Sequence, residues 1–455
     1  MPLDSLSPVD GRYRSVTEPL APYFSEWGLI RYRTRVEVEW LREMVSTPAL
    51  SGIPPLSEAA NQVLSRLVDK FSQRDAERVK ALEATTQHDV KAVEYFIREH
   101  LQAVAPELLP FVHFACTSDD INNLAYALML KDSLEQVLLP KMRAMVERVA
   151  DLARQTRATP MLSWTHGQPA TPSTLGKELA VFVLRWRRQL KQLERTEFLG
   201  KFNGAVGTWG AHLAAYPKAA WVEIARHFVT RLGLQLNPLT TQIEPHDYMA
   251  ELFQNLMRFN AVSLDFVKDM WLYIARGYFH LRVVTGEVGS STMPHKVNPI
   301  QFENAEANFG VANSLLDHLA GKLPISRLQR DLTDSSALRT VGPALGHTLI
   351  GVVATLRGLQ SVTPDAGRMA EDLNDAWEVL SEAVQTVLRK NGRPDAYELM
   401  KDLTRGRAVG QDVMREAIAA LDIAPEDRAH LLALTPATYT GLAAELVDLL
   451  DESET

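Results

Sequence analysis

The feature of the sequence that most constrains its fold is a set of long stretches with helical periodicity. Between Pro172 and Leu199, apolar residues recur at three- and four-residue spacing, and charged residues occupy many of the positions between them. Thr171 can cap this helix, with Pro172 in its first turn and Gly200 after its end. The apolar stripe consists of Leu175, Leu179, Phe182, Trp186, Leu190 and Leu193.

Comparable patterns cover about 120–157, 248–282, 303–319 and 335–359. Several approach or exceed ~25 residues, which is longer than the usual globular helix. Helices of this length need other helices to cover their apolar faces, and strand-like alternation is scarce in the sequence. We therefore predict an all-α fold built around a long central helical bundle.

Two proline-containing stretches predict the domain boundaries. PELLP ends at Pro110, and VTPDAGR, which ends at Arg368, opens a smaller C-terminal region. We predict an N-terminal helical domain over 1–110, a central long-helix bundle over 111–362 and a C-terminal helical domain over 363–455.

Composition and charge exclude several classes of protein. A formal net charge of -8 argues against a general nucleic-acid binder, because such proteins usually need a basic face. Cys116 is the only cysteine, which excludes an internal disulfide framework and favours a reducing compartment. The N-terminus lacks the pattern of a secretory signal, and no apolar run approaches the ~18 residues that span a bilayer. We expect a cytoplasmic protein without a membrane segment.

Candidate functional residues lie in the loops between the long helices. The stretch from Gly286 to Pro299 combines glycines, hydroxyl side chains, Lys296 and Asn298, a composition suited to binding an anion. A solvated turn is the alternative, but long loops without a function are uncommon between helices. His166 lies in the turn Thr165–Pro169, and histidine can donate a proton near neutral pH. A hydrogen-bonded surface histidine is the alternative there.

Further polar groups stand at predicted helix edges. His88 and Asp89 lie in TTQHDVKAVEYF, and the segment HFACTSDD contains a second group. Several of these side chains could equally be helix N-caps or functional groups of a binding site, and spacing alone does not separate these two roles. The second group comprises His113, Thr117, Ser118 and Asp119.

The usual motifs for metal and cofactor binding are absent from the sequence. None of the twelve histidines falls in an HExxH arrangement, and there is no cysteine pair. GxGxxG, GxxxxGK[ST] and GxSxG are also missing. We predict an enzyme that uses neither a cofactor nor a metal.

The segment from Gly289 to Pro299, GSSTMPHKVNP, matches the signature loop of the fumarase/aspartase superfamily, written G-S-S-x-M-P-x-K-x-N. Two companion regions occur in the expected order, Thr117-Ser118-x-Asp120 and the turn THGQPA. Within that superfamily the chain resembles the bacterial adenylosuccinate lyase family over nearly its whole length. The segments that carry this resemblance are SPVDGRY, TTQHDVKAVEYF, HFACTSDDINN, THGQPATPSTLGKE, TTQIEPHDY and LQRDLTDSSALR.

The resemblance implies a fumarase/aspartase-like fold, in which two smaller, mostly helical domains flank the central bundle, and a set of site residues. His166 would be the general acid and Ser290 the general base. Gln87 is a departure, because asparagine is expected there, and it puts the geometry of that contact in doubt. The implied substrate-binding residues are Arg12, Tyr13, Gln87, His88, Asp89, Thr117, Ser118, Gln242, Ser291, Lys296, Val297, Asn298, Asn304, Arg330, Ser335, Ser336, Ala337, Leu338 and Arg339.

The resemblance also implies an activity in purine nucleotide synthesis. The family splits fumarate from adenylosuccinate to give AMP, and from succinylated aminoimidazole carboxamide ribotide (SAICAR) to give AICAR, without a cofactor. It further implies a homotetramer with active sites built from three subunits. Two alternatives are a sister lyase, acting on argininosuccinate, fumarate or aspartate, and a non-catalytic helical scaffold.

Overall fold

The computed structural model of the chain describes residues 3–282, 292–293, 295–406 and 409–452. Within these ranges the structure is mainly α-helical, as predicted, and its strands form short two-stranded sheets. The antiparallel sheets pair β1 (Pro160–Thr165) with β2 (Gln168–Thr174) and β5 (Phe279–Leu281) with β6 (Val362–Pro364). The parallel sheet pairs β3 (Leu199–Gly200) with β4 (Gln235–Leu236).

The first part of the chain is helical up to residue 155. Short 3-10 segments cover Glu18–Leu20 and Pro106–Phe111, and a π-helical segment covers Leu134–Leu138. The helices are α1 (Arg14–Thr17), α2 (Ala21–Phe24), α3 (Glu26–Ser46), α4 (Glu58–Asp69), α5 (Gln73–Thr86), α6 (Asp89–Leu101), α7 (Ser118–Ser133) and α8 (Leu139–Gln155).

The middle of the chain alternates short strands with helices. Its elements are β1 (Pro160–Thr165), β2 (Gln168–Thr174), α9 (Leu175–Glu194), β3 (Leu199–Gly200), α10 (Gly210–Ala215), α11 (Trp221–Arg231), β4 (Gln235–Leu236), α12 (Asp247–Ala275) and β5 (Phe279–Leu281).

The last part of the chain contains two long helices followed by short ones, with a 3-10 segment at Trp377–Leu380. Its elements are α13 (Ile300–Lys322), α14 (Thr333–Leu338), α15 (Val341–Ser361), β6 (Val362–Pro364), α16 (Ala366–Asn374), α17 (Ser381–Lys390), α18 (Ala396–Thr404), α19 (Gln411–Ala419), α20 (Pro425–Ala433), α21 (Ala443–Leu446) and α22 (Leu449–Glu452).

The apolar stripe predicted for α9 is confirmed, but its predicted start is wrong. Every residue of the stripe is at most 6% exposed. The helix begins at Leu175 rather than Pro172, because 168–174 pair with 160–165 as a strand. The register of that pairing shifts between Met161 and Ser163, and Pro172 lies opposite this irregularity. Proline suits such a position because it has no backbone N–H to donate to a partner strand. Gly200 lies in β3 and does not cap the helix.

The structure divides into two compact units. Unit 1 comprises Met1–Met142, Gln189–Ala261 and Ala307–Val353. In it, α3 packs against α6 and α7, and the ring of Trp40 lies 4.3 Å from that of Phe202 and 5.2 Å from that of Phe228. These aromatic contacts bury the apolar face of α3.

Unit 2 comprises Arg143–Arg188, Val262–Glu306 and Ala354–Thr455. Trp186 donates to the hydroxyl of Ser263 at 3.0 Å, and its ring lies 5.0 Å from that of Phe266. A separate apolar core holds the C-terminal helices together, with Leu388, Met414 and Ile418 among its buried residues. The division into three domains that the sequence suggests remains a prediction.

Among the described residues, one stretch, Thr333–Ser361, is long and apolar enough by composition to cross a membrane. Of its most apolar window, 67% is buried inside the structure, which is also what the core helix of a globular protein shows.

We predict that Gly176→Ala destabilises the chain. A methyl group at residue 176 would lie 2.4 Å from the carbonyl oxygen of Ala153 and 2.5 Å from the Cα of Arg157, and backbone cannot move aside cheaply. The free energy of unfolding should fall by about 1–3 kcal/mol in urea denaturation. Gly321→Ala is the control, because open space surrounds that position in α13. Equal effects of the two substitutions would contradict the assignment.

Candidate active site

His166 occupies the tip of the β1–β2 hairpin in unit 2. Thr165 pairs with Gln168, which leaves His166 and Gly167 as the two turn residues. Both have positive φ, 53° and 72°, as a two-residue hairpin turn of type I′ requires. The imidazole is exposed, so it is accessible to a ligand from the tip of the turn.

The base of this hairpin is fixed against the C-terminal part of unit 2. Leu162 and Trp164 pack against Leu373, Ala376 and Val379, which lie in or after α16. The hairpin therefore presents His166 from a supported platform, although the histidine itself makes none of these contacts.

The ring of Trp164 is fixed by polar contacts as well. Its indole nitrogen donates to the Tyr278 hydroxyl at 3.3 Å, and that hydroxyl donates to Asp372 at 3.0 Å. The guanidinium of Arg276 lies over the Trp164 ring, 3.0 Å from its centre. Burial raises the pKa of Tyr278 to about 12, so the hydroxyl keeps its proton as donor.

Several other residues that sequence analysis singled out adopt left-handed backbone conformations. Gln87, in the TTQHDVKAVEYF segment, has a φ of 54°. In the HFACTSDD segment, His113 has a φ of 60° and Ala115 a φ of 57°. Such conformations are uncommon outside glycine and cost energy, so they persist where the surrounding structure holds them. They cluster at functional sites often enough to support the choice of these two loops.

The N-terminus of α6 brings two of the predicted residues together. His88 is the N-cap, and its Nδ1 accepts from the backbone of Lys91 at 3.2 Å. Asp89 follows and pairs with Arg33 of α3 at 2.7 Å. Arg33 also donates to Asn122 of α7 at 2.8 Å, which ties α6 to the first turns of α7.

The N-terminus of α7 is held by a buried ion pair. Thr117 is the N-cap residue, and its backbone N–H donates to Asp120 at 2.8 Å. The same carboxylate lies 2.9 Å from Nζ of Lys201, and both side chains are 0% exposed. It also accepts from the backbone N–H groups of Asn203 and Gly204 at 3.0 and 3.2 Å. Ser118 is thereby fixed at the start of α7.

Arg330 and Arg339, two of the three predicted arginines in unit 1, lie against carboxylates. Arg330 pairs with Asp119 at 3.1 Å. Arg339 pairs with Glu26 at 2.7 Å and lies 3.9 Å from Asp89. The cations that an anionic ligand needs are therefore present, but each already shares its charge with an acidic neighbour.

The remaining predicted residues of unit 1 lie in three segments of the chain. The backbone N–H of Gln242 donates to the carbonyl of Gln329, the residue before Arg330, at 3.3 Å, and its side chain donates to Ala205 at 2.8 Å. Ser335, Ser336, Ala337 and Leu338 form most of α14, between the two arginines. Arg12 is exposed and Tyr13 half-buried just before α1.

The other predicted residues belong to unit 2. Lys296 and Val297 are exposed, and Asn298 is half-buried, in the segment that leads into α13. Asn304 is half-buried in the first turns of that helix. Ser290 and Ser291 lie outside the described residues.

Two family descriptions match the sequence. A lyase family matches residues 11–312, and the adenylosuccinate lyase C-terminal family matches residues 326–440. The chain is 51% identical over 450 residues to adenylosuccinate lyase of Haemophilus influenzae, covering 98% of this chain and 99% of that protein. It is 50% identical over 451 residues to the Escherichia coli adenylosuccinate lyase, with the same coverage.

The chain belongs to the adenylosuccinate lyase family. It is therefore a lyase, as predicted.

Solved structures show the same fold at lower sequence identity. The 3-carboxy-cis,cis-muconate lactonizing enzyme of Pseudomonas putida aligns with a TM-score of 0.74 at 24% identity, over 94% of this chain and 95% of that one. A β-carboxy-cis,cis-muconate cycloisomerase from Acinetobacter calcoaceticus aligns with a TM-score of 0.73 at 19% identity, over 97% and 98%. The predicted fumarase/aspartase-like fold is confirmed.

Sequence analysis missed Arg33 and Glu26, which hold Asp89 and Arg339 in this adenylosuccinate lyase family member. For Arg33 a signal was available. It stands on the apolar stripe of α3, between Leu29 and Val36, and is 2% exposed. A charged residue on a buried helix face is rarely there unless it is paired, so this position indicates a functional or structural ion pair.

Within the described ranges, no group of three or more His, Cys, Asp or Glu side chains is arranged to hold a metal ion. The paired arginines and helix N-termini of unit 1 are instead suited to an anionic organic ligand.

His113 forms a second strong pair in this region, with Glu37 of α3 at 2.5 Å. Burial alone would lower the pKa of His113, but the charge and hydrogen bond of Glu37 raise it above its ordinary value. The stabilisation by this pair is therefore fully present below the ordinary histidine pKa of ~6.5 and is lost as pH rises through the higher folded value.

We predict that Glu37→Gln destabilises the chain more near pH 6 than near pH 9, because only the protonated His113 needs the carboxylate. Denaturant unfolding at the two pH values measures this. Glu39→Gln is the control, because Glu39 pairs with Arg42 at 2.7 Å and Arg231 at 3.0 Å, and arginine does not titrate in this range. A pH-independent effect of the Glu37 substitution would contradict the prediction.

Proposed function

We propose that the protein cleaves adenylosuccinate to AMP and fumarate, and SAICAR to AICAR and fumarate, in purine nucleotide synthesis in the cytoplasm. The observation that carries the proposal is the identity of 50–51% over 98% of the chain to proteins named adenylosuccinate lyase. The reaction is a β-elimination, in which a proton leaves carbon and the amine departs from its neighbour.

In the proposed mechanism, His166 is the general acid and Ser290 the general base. Departure of the purine amine requires a proton, which an imidazolium can deliver near neutral pH. The exposed position of His166 at a supported hairpin tip supports this role. Acid and base act on opposite faces of the breaking bond, which is consistent with their separate places in the sequence.

Removal of the proton next to a carboxylate creates a doubly charged intermediate, which oriented donors must stabilise. Lys296 and Asn298 are proposed for this task, with Ser291 and Val297 beside them and Asn304 in α13. Lys296 is exposed just before that helix, so its ammonium group is accessible to a ligand. Serine is a weak base at its ordinary pKa and needs a neighbour to activate it.

The substrate carries a phosphate and two carboxylates, and arginine is the side chain best suited to bind such groups. We propose that Arg12, Arg330 and Arg339 bind them, with contacts from Tyr13, Gln87, His88, Asp89, Thr117, Ser118, Gln242 and residues 335–338. A bound anion would compete with Asp119 for Arg330 and with Glu26 for Arg339.

The proposal is tested directly by incubating the purified protein with each substrate and monitoring fumarate release by ultraviolet absorbance. Adenylosuccinate and SAICAR should both be cleaved, whereas argininosuccinate, malate and aspartate should not. Turnover of argininosuccinate in preference to both purine substrates would refute the proposal.

We predict that His166→Asn and Ser290→Ala each lower kcat by on the order of 100-fold or more while substrate still binds. Asparagine tolerates the positive φ of residue 166, so the hairpin should form unchanged. Isothermal calorimetry measures binding and circular dichroism measures folding. Ample activity in either variant would refute the role assigned to that residue.

We also propose a homotetramer with active sites shared between subunits. Apolar side chains on the long helices support it, because Val181 of α9, Leu272 of α12 and Val311 of α13 are 42%, 53% and 45% exposed. Exposed apolar positions on long helices are suited to a symmetric interface between copies.

We predict that mixing the two inactive variants restores activity. If His166 and Ser290 of one site come from different subunits, random reassembly of equal amounts leaves about a quarter of sites with both residues intact. Unmixed variants treated identically are the controls. Mixed tetramers without activity, in a sample shown to have exchanged subunits, would contradict sites of this kind.

A further inference from the structure

His246 lies between two buried carboxylates in unit 1. Its side chain is 2% exposed, with Nδ1 3.7 Å from an oxygen of Glu244 and Nε2 3.7 Å from an oxygen of Asp334. Its backbone N–H donates to Glu244 at 2.7 Å, and its φ is 65°. A non-glycine residue in this conformation is held there by its surroundings, as often occurs at functional sites.

Asp334 links this histidine to a predicted substrate-binding arginine. One of its carboxylate oxygens faces His246, and the other lies 4.0 Å from the guanidinium of Arg330 and accepts from the backbone of Ser335 at 2.7 Å. Burial alone would raise the pKa of Asp334, but the His246 ring and the Arg330 guanidinium hold it below its ordinary value. Asp334 is therefore ionised.

The charges around Arg330 do not favour an anionic ligand by themselves. The guanidinium faces two buried carboxylates, Asp119 at 3.1 Å and Asp334 at 4.0 Å. Two negative charges so close would repel a phosphate or carboxylate approaching the same donors. The His246 ring lies against the other oxygen of Asp334, where an imidazole N–H can donate to that carboxylate and offset part of its charge.

We propose that His246 is a positioning residue for Arg330. It offsets the charge of Asp334 and so leaves the charge of Arg330 available to an anionic group of the substrate. The inference rests on the proposed function, in which Arg330 binds a phosphate or a carboxylate of the succinylated nucleotide. His246 itself acts through Asp334 and does not touch the substrate.

The test is the variant His246→Asn, which removes the imidazole ring beside Asp334 and tolerates the left-handed backbone. We expect KM for adenylosuccinate to rise about tenfold and kcat to stay within about threefold, because the affected contact binds ground state and transition state alike. Inhibition by AMP and by fumarate, compared between His246→Asn and the unsubstituted protein, identifies the group that Arg330 binds. Weaker AMP inhibition indicates the phosphate, and weaker fumarate inhibition indicates a succinyl carboxylate.

A double-mutant cycle tests the route through Asp334. Asp334→Asn removes the charge that His246 offsets, and the amide oxygen can still accept from Ser335. We expect this variant alone to keep KM within about threefold, and the added His246→Asn change to have no further effect on KM. An equal rise in KM in both backgrounds would overturn the proposal, as would an unchanged KM in His246→Asn.

His212→Asn is the matched control. His212 is also a fully buried histidine of unit 1 with no hydrogen bond to its ring nitrogens, but it packs among aromatic rings, including Trp221 at 4.8 Å. Its loss should reduce stability and leave KM unchanged. A comparable rise in KM in this control would show a general packing effect and overturn the specific role.

The variant Arg330→Gln distinguishes a failure of the proposed function from a failure of the role assigned to His246. If it leaves KM unchanged, the assignment of Arg330 in the proposed function fails. If it raises KM while His246→Asn does not, only the role of His246 fails. Should His246→Asn not fold, as judged by circular dichroism, Asp334→Asn decides alone, and a rise in KM above about tenfold overturns the proposal.

Discussion

The buried carboxylate of Asp120 is the interaction on which the predicted site in unit 1 depends. A fully buried ion pair is costly to desolvate and is tolerated only when its hydrogen bonds are made. Asp120 meets this condition with Lys201, the start of α7 and the backbone of 203–204. It therefore fixes the position of Thr117 and Ser118 relative to the loop that follows β3.

That loop extends the constraint to Gln242. Gly207 has φ of 79°, and a Cβ there would lie 2.1 Å from the carbonyl oxygen of Thr240. Only glycine allows the two backbones to approach so closely. The side chain of Asn203 also donates to the Thr240 hydroxyl at 2.8 Å, so the loop and the segment before α12 are joined twice. Residues distant in sequence are thus held together by one buried charge and one close backbone contact.

Sequence analysis predicted the long helices but not the ion-pair partners of the candidate residues. The stripe of α9 follows from local periodicity, and its residues are buried as expected. The start of α9 was wrong because pairing of 168–174 with β1 overrides the capping signals at Thr171 and Pro172. Glu26 could not be assigned to Arg339, because the two are 313 residues apart in the chain and no periodicity links them. The catalytic roles proposed for His166 and Ser290 rest on the resemblance, and Ser290 lies outside the described residues.

The turn that presents His166 separates the proposed general acid from the parts that make the hairpin fold. Gly167 and the paired strands define the turn, and the packing of Leu162 and Trp164 anchors it, so the imidazole is not needed for either. Residue 166 is consequently a position where unnatural side chains of graded acidity could be introduced without repacking their surroundings. A series of this kind would show how far proton delivery limits turnover, a quantity that substitutions in a packed core cannot isolate.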